Sequence, residues 1–176
     1  GATGFAYELA KQFGHTVIDP RPALVPMTFT DGYKETFSDL SGVAIPVEAQ
    51  AESGPSFVEN MLLTHRGLSG PSVLQVSSYW HEKEALSFDL LPGQSAQDWL
   101  RDAKQATPKQ LLSQKLAEIL PARFANYFPS EVELDPSIRL AALSNRQIDQ
   151  LSQTLKAWQL KPAGTEGWRT AEVTAG

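Results

Sequence analysis

The chain has 176 residues, 41% apolar and 20% charged, and its 20 acidic against 15 basic residues leave a formal net charge of −5. That is the make-up of a globular protein able to bury a real core, and its acidic balance argues against a broad nucleic-acid surface, leaving room only for a local basic patch. The absence of cysteine excludes a disulfide framework, a thiolate metal site and a cysteine nucleophile, and no apolar run approaches the roughly 18 residues of a membrane span.

The first predicted element is a helix over Gly4–Phe13, with Phe5, Leu9 and Phe13 one turn apart and Gly14 as its stop. His15–Asp19 and Ala23–Thr30 read as strands broken by Pro20 and Pro22. Asp31-Gly32 is a turn signal, so Phe29–Phe37 is expected to form a hairpin. Gly42–Glu52 alternates through Val43, Ile45 and Val47 as a strand, Ser53-Gly54-Pro55 turns, and Ser56–Leu63 is a second strand. A helix is expected over Pro71–Trp80 and a strand over Ala85–Leu91. Short strands with frequent turns suggest a small barrel.

Helical signals follow. Ser95 caps a helix running to about Ala103, and Thr107-Pro108 reads as the cap and first-position proline of another reaching Leu120. Pro121–Phe128 and the segment from Asp135-Pro136 suggest two more. Ser144-Asn145-Arg146-Gln147 is a capping box, and Ile148, Leu151, Leu155 and Trp158 give its helix an apolar face. Leu160–Pro162 and Ala171–Thr174 return to strand character around a Gly164–Gly167 turn, the last strand rejoining the barrel. The expected fold class is therefore α+β: a small β-barrel subdomain with an inserted all-helical subdomain. The barrel takes residues 1–94 plus 158–176, and the helical part 95–157.

The segment Thr64–Pro71 carries the strongest chemical signal. An apolar strand runs into a turn with two glycines, and Pro71 opens a helix. Ser69 or Gly70 is the expected N-cap, and the exposed N–H groups of such an end attract anions. Ser69 does not fit the G-x-S-x-G nucleophile pattern and suits a cap better. His65 has three readings: a polar loop residue, a cofactor-lining group, or an acid–base group near neutral pH. His15, His65 and His81 lack metal-ligand spacing, so no metal is expected. Trp80, Trp99, Trp158 and Trp168 could suggest ligand stacking, and most of them read better as core or subdomain-interface residues. No complete catalytic set is present.

Thr64-His65-Arg66-Gly67-Leu68-Ser69-Gly70-Pro71 resembles the T-H-x-G-L-S-G-P signature of the BaiN-like flavoproteins, FAD/NAD(P)-type oxidoreductases related to 3-dehydro-bile-acid reductases. Gly1–Tyr7 with Gly14–Val17 is similar to the family's G-x-T-G-x-G-Y … G-H-T segment, with Ala6 in place of a third glycine, and Arg21–Pro26 is similar to its R-P-A-L-V-P strand. The resemblance implies FAD in a full-length parent, contacted here by Thr3, Gly4, His65, Gly67, Ser69 and Gly70. It implies that this chain is an excised insert that covers the flavin and shapes a substrate cavity, inactive and without bound cofactor alone. Its partners would be the parent's FAD-binding domain and a small-molecule substrate, with no nucleic acid and no membrane, in the cytoplasm. The helix N-terminus at Ser69–Pro71 would face the flavin's pyrimidine edge. The alternative is a non-catalytic binding or scaffolding module that uses the helical subdomain.

Overall fold

A computed structural model describes residues 3–30 and 32–176. Among them the chain forms nine strands and seven α-helices. The central sheet is antiparallel throughout and runs β7-β6-β3-β4-β5-β2-β8. Its strands are β2 (Met27–Thr28), β3 (Ala44–Ala51), β4 (Phe57–Thr64), β5 (Gly67–Ser69), β6 (Leu86–Asp89), β7 (Trp158–Leu160) and β8 (Gly164–Thr165).

The curl of this sheet follows from chain length. Its two edges, β7 and β8, are consecutive in sequence and joined by Lys161-Pro162-Ala163. Seven flat strands would hold those edges about 29 Å apart, and that link reaches at most roughly 14 Å. The sheet must wrap, which makes it the curled half-barrel of an α+β fold, as expected. Ile45, Val47, Ala49 and Ala51 of β3 turn to the inside in strict alternation and join Met61, Leu63, Leu68, Leu86 and Phe88 in one core. Pro46 lies beyond the end of β6, where β3 has only β4 beside it, so its missing N–H breaks no ladder.

Several predicted elements differ. The Phe29–Phe37 hairpin is instead a helix, α2 (Gly32–Asp39); Asp31 lies outside the described residues. Phe29, Tyr33 and Phe37 recur every four residues, and Tyr33 stacks on Phe37 with centroids 5.4 Å apart, a contact that helical spacing supplies. His15–Asp19 forms no element. β1 (Arg21–Ala23) pairs with β9 (Val173–Ala175) in a separate two-stranded sheet, so the last strand does not rejoin the barrel. The Gly164–Gly167 turn contributes β8, paired with β2. α1 (Phe5–Gln12) forms as expected but buries none of its residues.

The helices between β6 and β7 are α4 (Ala96–Ala106), α5 (Leu112–Leu116), α6 (Ala122–Tyr127) and α7 (Asn145–Lys156). Ser95 caps α4 by accepting from the Asp98 N–H, and Ser144 and Gln147 close the capping box of α7. Thr107-Pro108 does not start a helix. The Thr107 hydroxyl donates back to the Ala103 carbonyl and ends α4, and α5 begins only at Leu112. Asp135-Pro136 also forms a turn, held by the Asp135 carboxylate accepting from Ser137. Trp158 leaves the α7 face and opens β7.

That tryptophan joins sheet to helices. Its ring is 1% exposed and packs against Phe37, Phe88, Phe124 and Phe128. Its indole N–H donates to Glu131 over 3.1 Å, and the Tyr127 hydroxyl donates to the other oxygen of that carboxylate. Burial, then the Glu131 hydrogen bond and charge, push the Tyr127 hydroxyl far above its ordinary pKa of 10.0. Tyr33 shifts the same way, burial first. A raised folded-state pKa means that the contribution is complete below pH 10 and lost as pH climbs toward the folded value. Unfolding free energy should therefore fall steeply above pH 10, and Tyr127→Phe should flatten that fall. Urea denaturation at pH 8, 10 and 11 measures it; equal slopes for variant and parent would reject the assignment.

Candidate functional site

The segment that carried the chemical signal is a β-hairpin. β4 and β5 pair up to Thr64↔Gly67, so His65 and Arg66 form a two-residue turn. The Thr64 hydroxyl accepts from the Arg66 and Gly67 N–H groups and fixes the turn. Gly67 is buried with φ +152°, and a Cβ there would lie 2.3 Å from the Met27 carbonyl oxygen of β2. Gly70, φ +89°, would meet the Asn60 carbonyl oxygen at 2.7 Å. α3 (Pro71–Ser77) follows, with Gly70 rather than Ser69 at its N-cap and no side-chain cap.

Both glycines are thus explained by close approach of the chain's own strands. A bulky residue at Gly70 would displace the backbone of β4 before it reported on any ligand. His65 is exposed. With Ser69 it lines a cavity of about 300 Å³ that also includes Pro26, Ser41 and Glu166. Thr3 and Gly4 lie elsewhere, with Tyr7, Trp168 and Glu172 around a cavity of about 600 Å³. Among the described residues nothing lies within 4 Å of where a Gly4 Cβ would be. The six residues expected at one flavin therefore divide between two cavities and a strand junction. Gly1 of the N-terminal segment lies outside the described residues. Among the described residues no cluster of three or more His, Cys, Asp or Glu side chains is placed to hold a metal ion.

The short segment Glu166–Arg169 runs between the two cavities. Glu166 receives Arg66 from the hairpin turn and Arg169 from its own 3₁₀ turn, each with a guanidinium nitrogen 3.6 Å from the same carboxylate oxygen. Two cations share one anion, so the cluster keeps a surplus positive charge. The Glu166 side chain is 14% exposed, while both arginines reach solvent. Between Glu166 and Arg169, Trp168 is 58% exposed. It is not part of this chain's core. A planar indole beside guanidinium groups can stack on a planar ring while the cations meet phosphate. Glu166 and Arg169 escaped the sequence reading, which named Trp168 only among the four tryptophans; the available signal was a tryptophan flanked by glycine and arginine in a turn.

No helix is long and apolar enough to cross a membrane among the described residues. Two curated proteins match this chain over its full length: a ribosomal RNA dihydrouridine synthase of Haemophilus influenzae at 41% identity and one of Escherichia coli K12 at 44%. The chain spans 43% and 44% of their respective lengths. Their names overturn three expectations: an insert covering the site of a small-molecule oxidoreductase, the functional description built on that role, and the exclusion of nucleic acid. Net charge is a weak guide to nucleic-acid contact, because it averages over the surface while a local basic cluster can suffice. Residues 21–173 match the family described as HI0933-like protein barrel and H2TH domain, and the chain belongs to that family.

Proposed function

We propose that this chain is the barrel-and-helix part of an enzyme that reduces uridine to dihydrouridine in ribosomal RNA. The observation that carries this reading is the 41–44% identity, over every part of the chain, with two proteins of that name. Reducing uridine adds two hydrogens across the C5=C6 bond of the base. The electron pair must come from a reduced donor, which is oxidised in turn. FAD in the intact protein is the donor we propose, supported by the resemblance of residues 1–26 and 64–71 to BaiN-like flavoproteins. This chain's residues do not by themselves make its site. Their proposed role is to receive RNA: Trp168 stacks on a base, and Arg66 and Arg169 neutralise phosphate. We place the enzyme in the cytoplasm, with its substrate. Within it, residues 95–157 are proposed as the helical subdomain and 1–94 plus 158–176 as the barrel part.

The test uses the full-length protein and unmodified ribosomal RNA, with nucleoside mass spectrometry to detect the gain of two hydrogens. Dihydrouridine is expected, and none forming with the reduced enzyme would overturn the reading. Trp168→Ala should lower the rate on ribosomal RNA about tenfold to a hundredfold, the loss of about 1–3 kcal/mol of base stacking. An unchanged rate would remove Trp168 from the RNA contact while leaving the activity in place.

A further inference from the structure

Charge is divided unevenly along this chain. Residues 95–157 carry eight basic and seven acidic side chains, and the remainder carries seven and thirteen. The helical segment thus carries a net charge of +1 in an acidic protein; four of its seven acidic groups have side-chain partners, while Asp98, Asp102 and Glu133 are exposed and have none among the described residues. Asp149 takes Arg101 at 3.2 Å and the Gln97 amide at 2.6 Å. Glu118 takes Lys115 and Gln110. Glu131 holds Tyr127 and Trp158, and Asp135 holds Ser137.

Three cations stand apart from this pairing. Lys109, Arg139 and Arg146 are exposed, and each has no side-chain hydrogen bond or ion pair among the described residues. The fold gathers them at one end. α4 runs antiparallel to α7, since Gln97 and Arg101 meet Asp149 while Lys104 donates to the Leu143 carbonyl. The C-terminal end of α4 therefore lies beside the N-terminal end of α7. Beyond α4 the chain is tied by an antiparallel Leu111↔Arg139 bridge, with Leu140 N–H on the Gln110 carbonyl at 3.0 Å and Ala141 N–H on the Pro108 carbonyl at 2.9 Å. Lys109 and Arg139 thus sit on adjoining strands of this tie, and Arg146 lies in the first turn of α7. The opposite end of α7 is anchored at the sheet, where Lys156 pairs with Asp89 at 2.5 Å and Leu90 bonds the Leu155 carbonyl. Twelve helical residues hold the basic end about 18 Å away from that anchor.

We propose that this basic end, Lys109, Arg139 and Arg146, is an RNA phosphate anchor, separate from the Trp168 surface and blind to sequence. The inference rests on the ribosomal RNA reading above. Free surface cations held away from the sheet suit backbone contact, because phosphate contacts position a nucleic acid and carry no base information.

The experiment measures binding of the full-length protein to a ribosomal RNA transcript across a salt series. Lys109→Ala with Arg139→Ala should weaken binding about tenfold at 0.15 M salt and reduce the salt slope by about two units. The control, Lys11→Ala with Lys34→Ala, removes the same charge elsewhere and should leave both values unchanged. Tight binding with an unaltered slope in the first double variant overturns the anchor and leaves the RNA reading standing. Equal losses in both double variants overturn it too, since charge rather than place would then matter. If the unmutated protein binds no RNA, the reading and the anchor fall together.

Discussion

Replacing Trp158 with alanine is expected to lower the unfolding free energy by about 3–5 kcal/mol, a large share of the roughly 5–15 kcal/mol that holds a domain folded. The side chain is fully buried at the meeting point of five elements: its own β7, Phe37 of α2, Phe88 of β6, Phe124 of α6, and Phe128 in the 3₁₀ turn that follows. Truncation leaves a cavity walled by four rings that cannot collapse together, because each belongs to a different element. It also removes the indole donor from Glu131. Trp158→Phe should lose less, since most of the volume remains. Guanidinium melts followed by far-UV circular dichroism and by fluorescence of the remaining tryptophans measure both variants. A loss below about 1 kcal/mol for the alanine variant would mean that the cluster does not join sheet to helices as described.

Gly67→Ala is expected to cost about 3 kcal/mol, at the upper end of ordinary overpacking. Its Cβ would press on the Met27 carbonyl at 2.3 Å and on the Phe29 ring at 2.9 Å. The carbonyl belongs to β2, which is held on one side by β5 and on the other by β8, so it cannot retreat without opening a ladder. Gly93 supplies the comparison. It also has a positive φ, +74°, but nothing lies within 4 Å of its Cβ position. Gly93→Ala should therefore show only the backbone term, about 1 kcal/mol. Urea midpoints of the two variants separate contact from conformation; equal losses would show that crowding at Gly67 plays no part.

Legibility in the sequence depended on competition: local signals survived where nothing nearby or distant outweighed them, and placements set by distant partners stayed hidden. Ser95 and the Ser144–Gln147 box cap their helices as read, and β3 alternates as Val43, Ile45 and Val47 suggested. Thr107-Pro108 has the residue types of a helix start, yet the segment after it is drawn into a bridge with Arg139, some thirty residues away. Asp31-Gly32 signals a turn, but the aromatic contacts of Tyr33 and Phe37 favour a helix. At the site, the hairpin and its glycines were visible as a motif, though their reason was not. Gly67 and Gly70 are small because β2 and β4 crowd them. Arg66 gained its partner only when β8 carried Glu166 to the hairpin, and composition does not reveal which face of its turn Trp168 presents.

The three-residue link between the sheet's two edges also sets the order in which the molecule can be built. β2 waits for β8 across more than a hundred residues, and β6 waits for β7 across the whole helical segment. Such distant pairings raise contact order and slow folding. During synthesis, the hairpin of β3 and β4 can form early from local contacts, but the strand at 86–89 keeps an unpaired side until residue 160 has emerged and the strand at 27–28 until residue 165 has. The helical segment is made before that moment and can fold first from its own nearby contacts. It then delivers Trp158 and β7 to the waiting sheet, so the wrap closes last, bringing Glu166 to Arg66 in the same step.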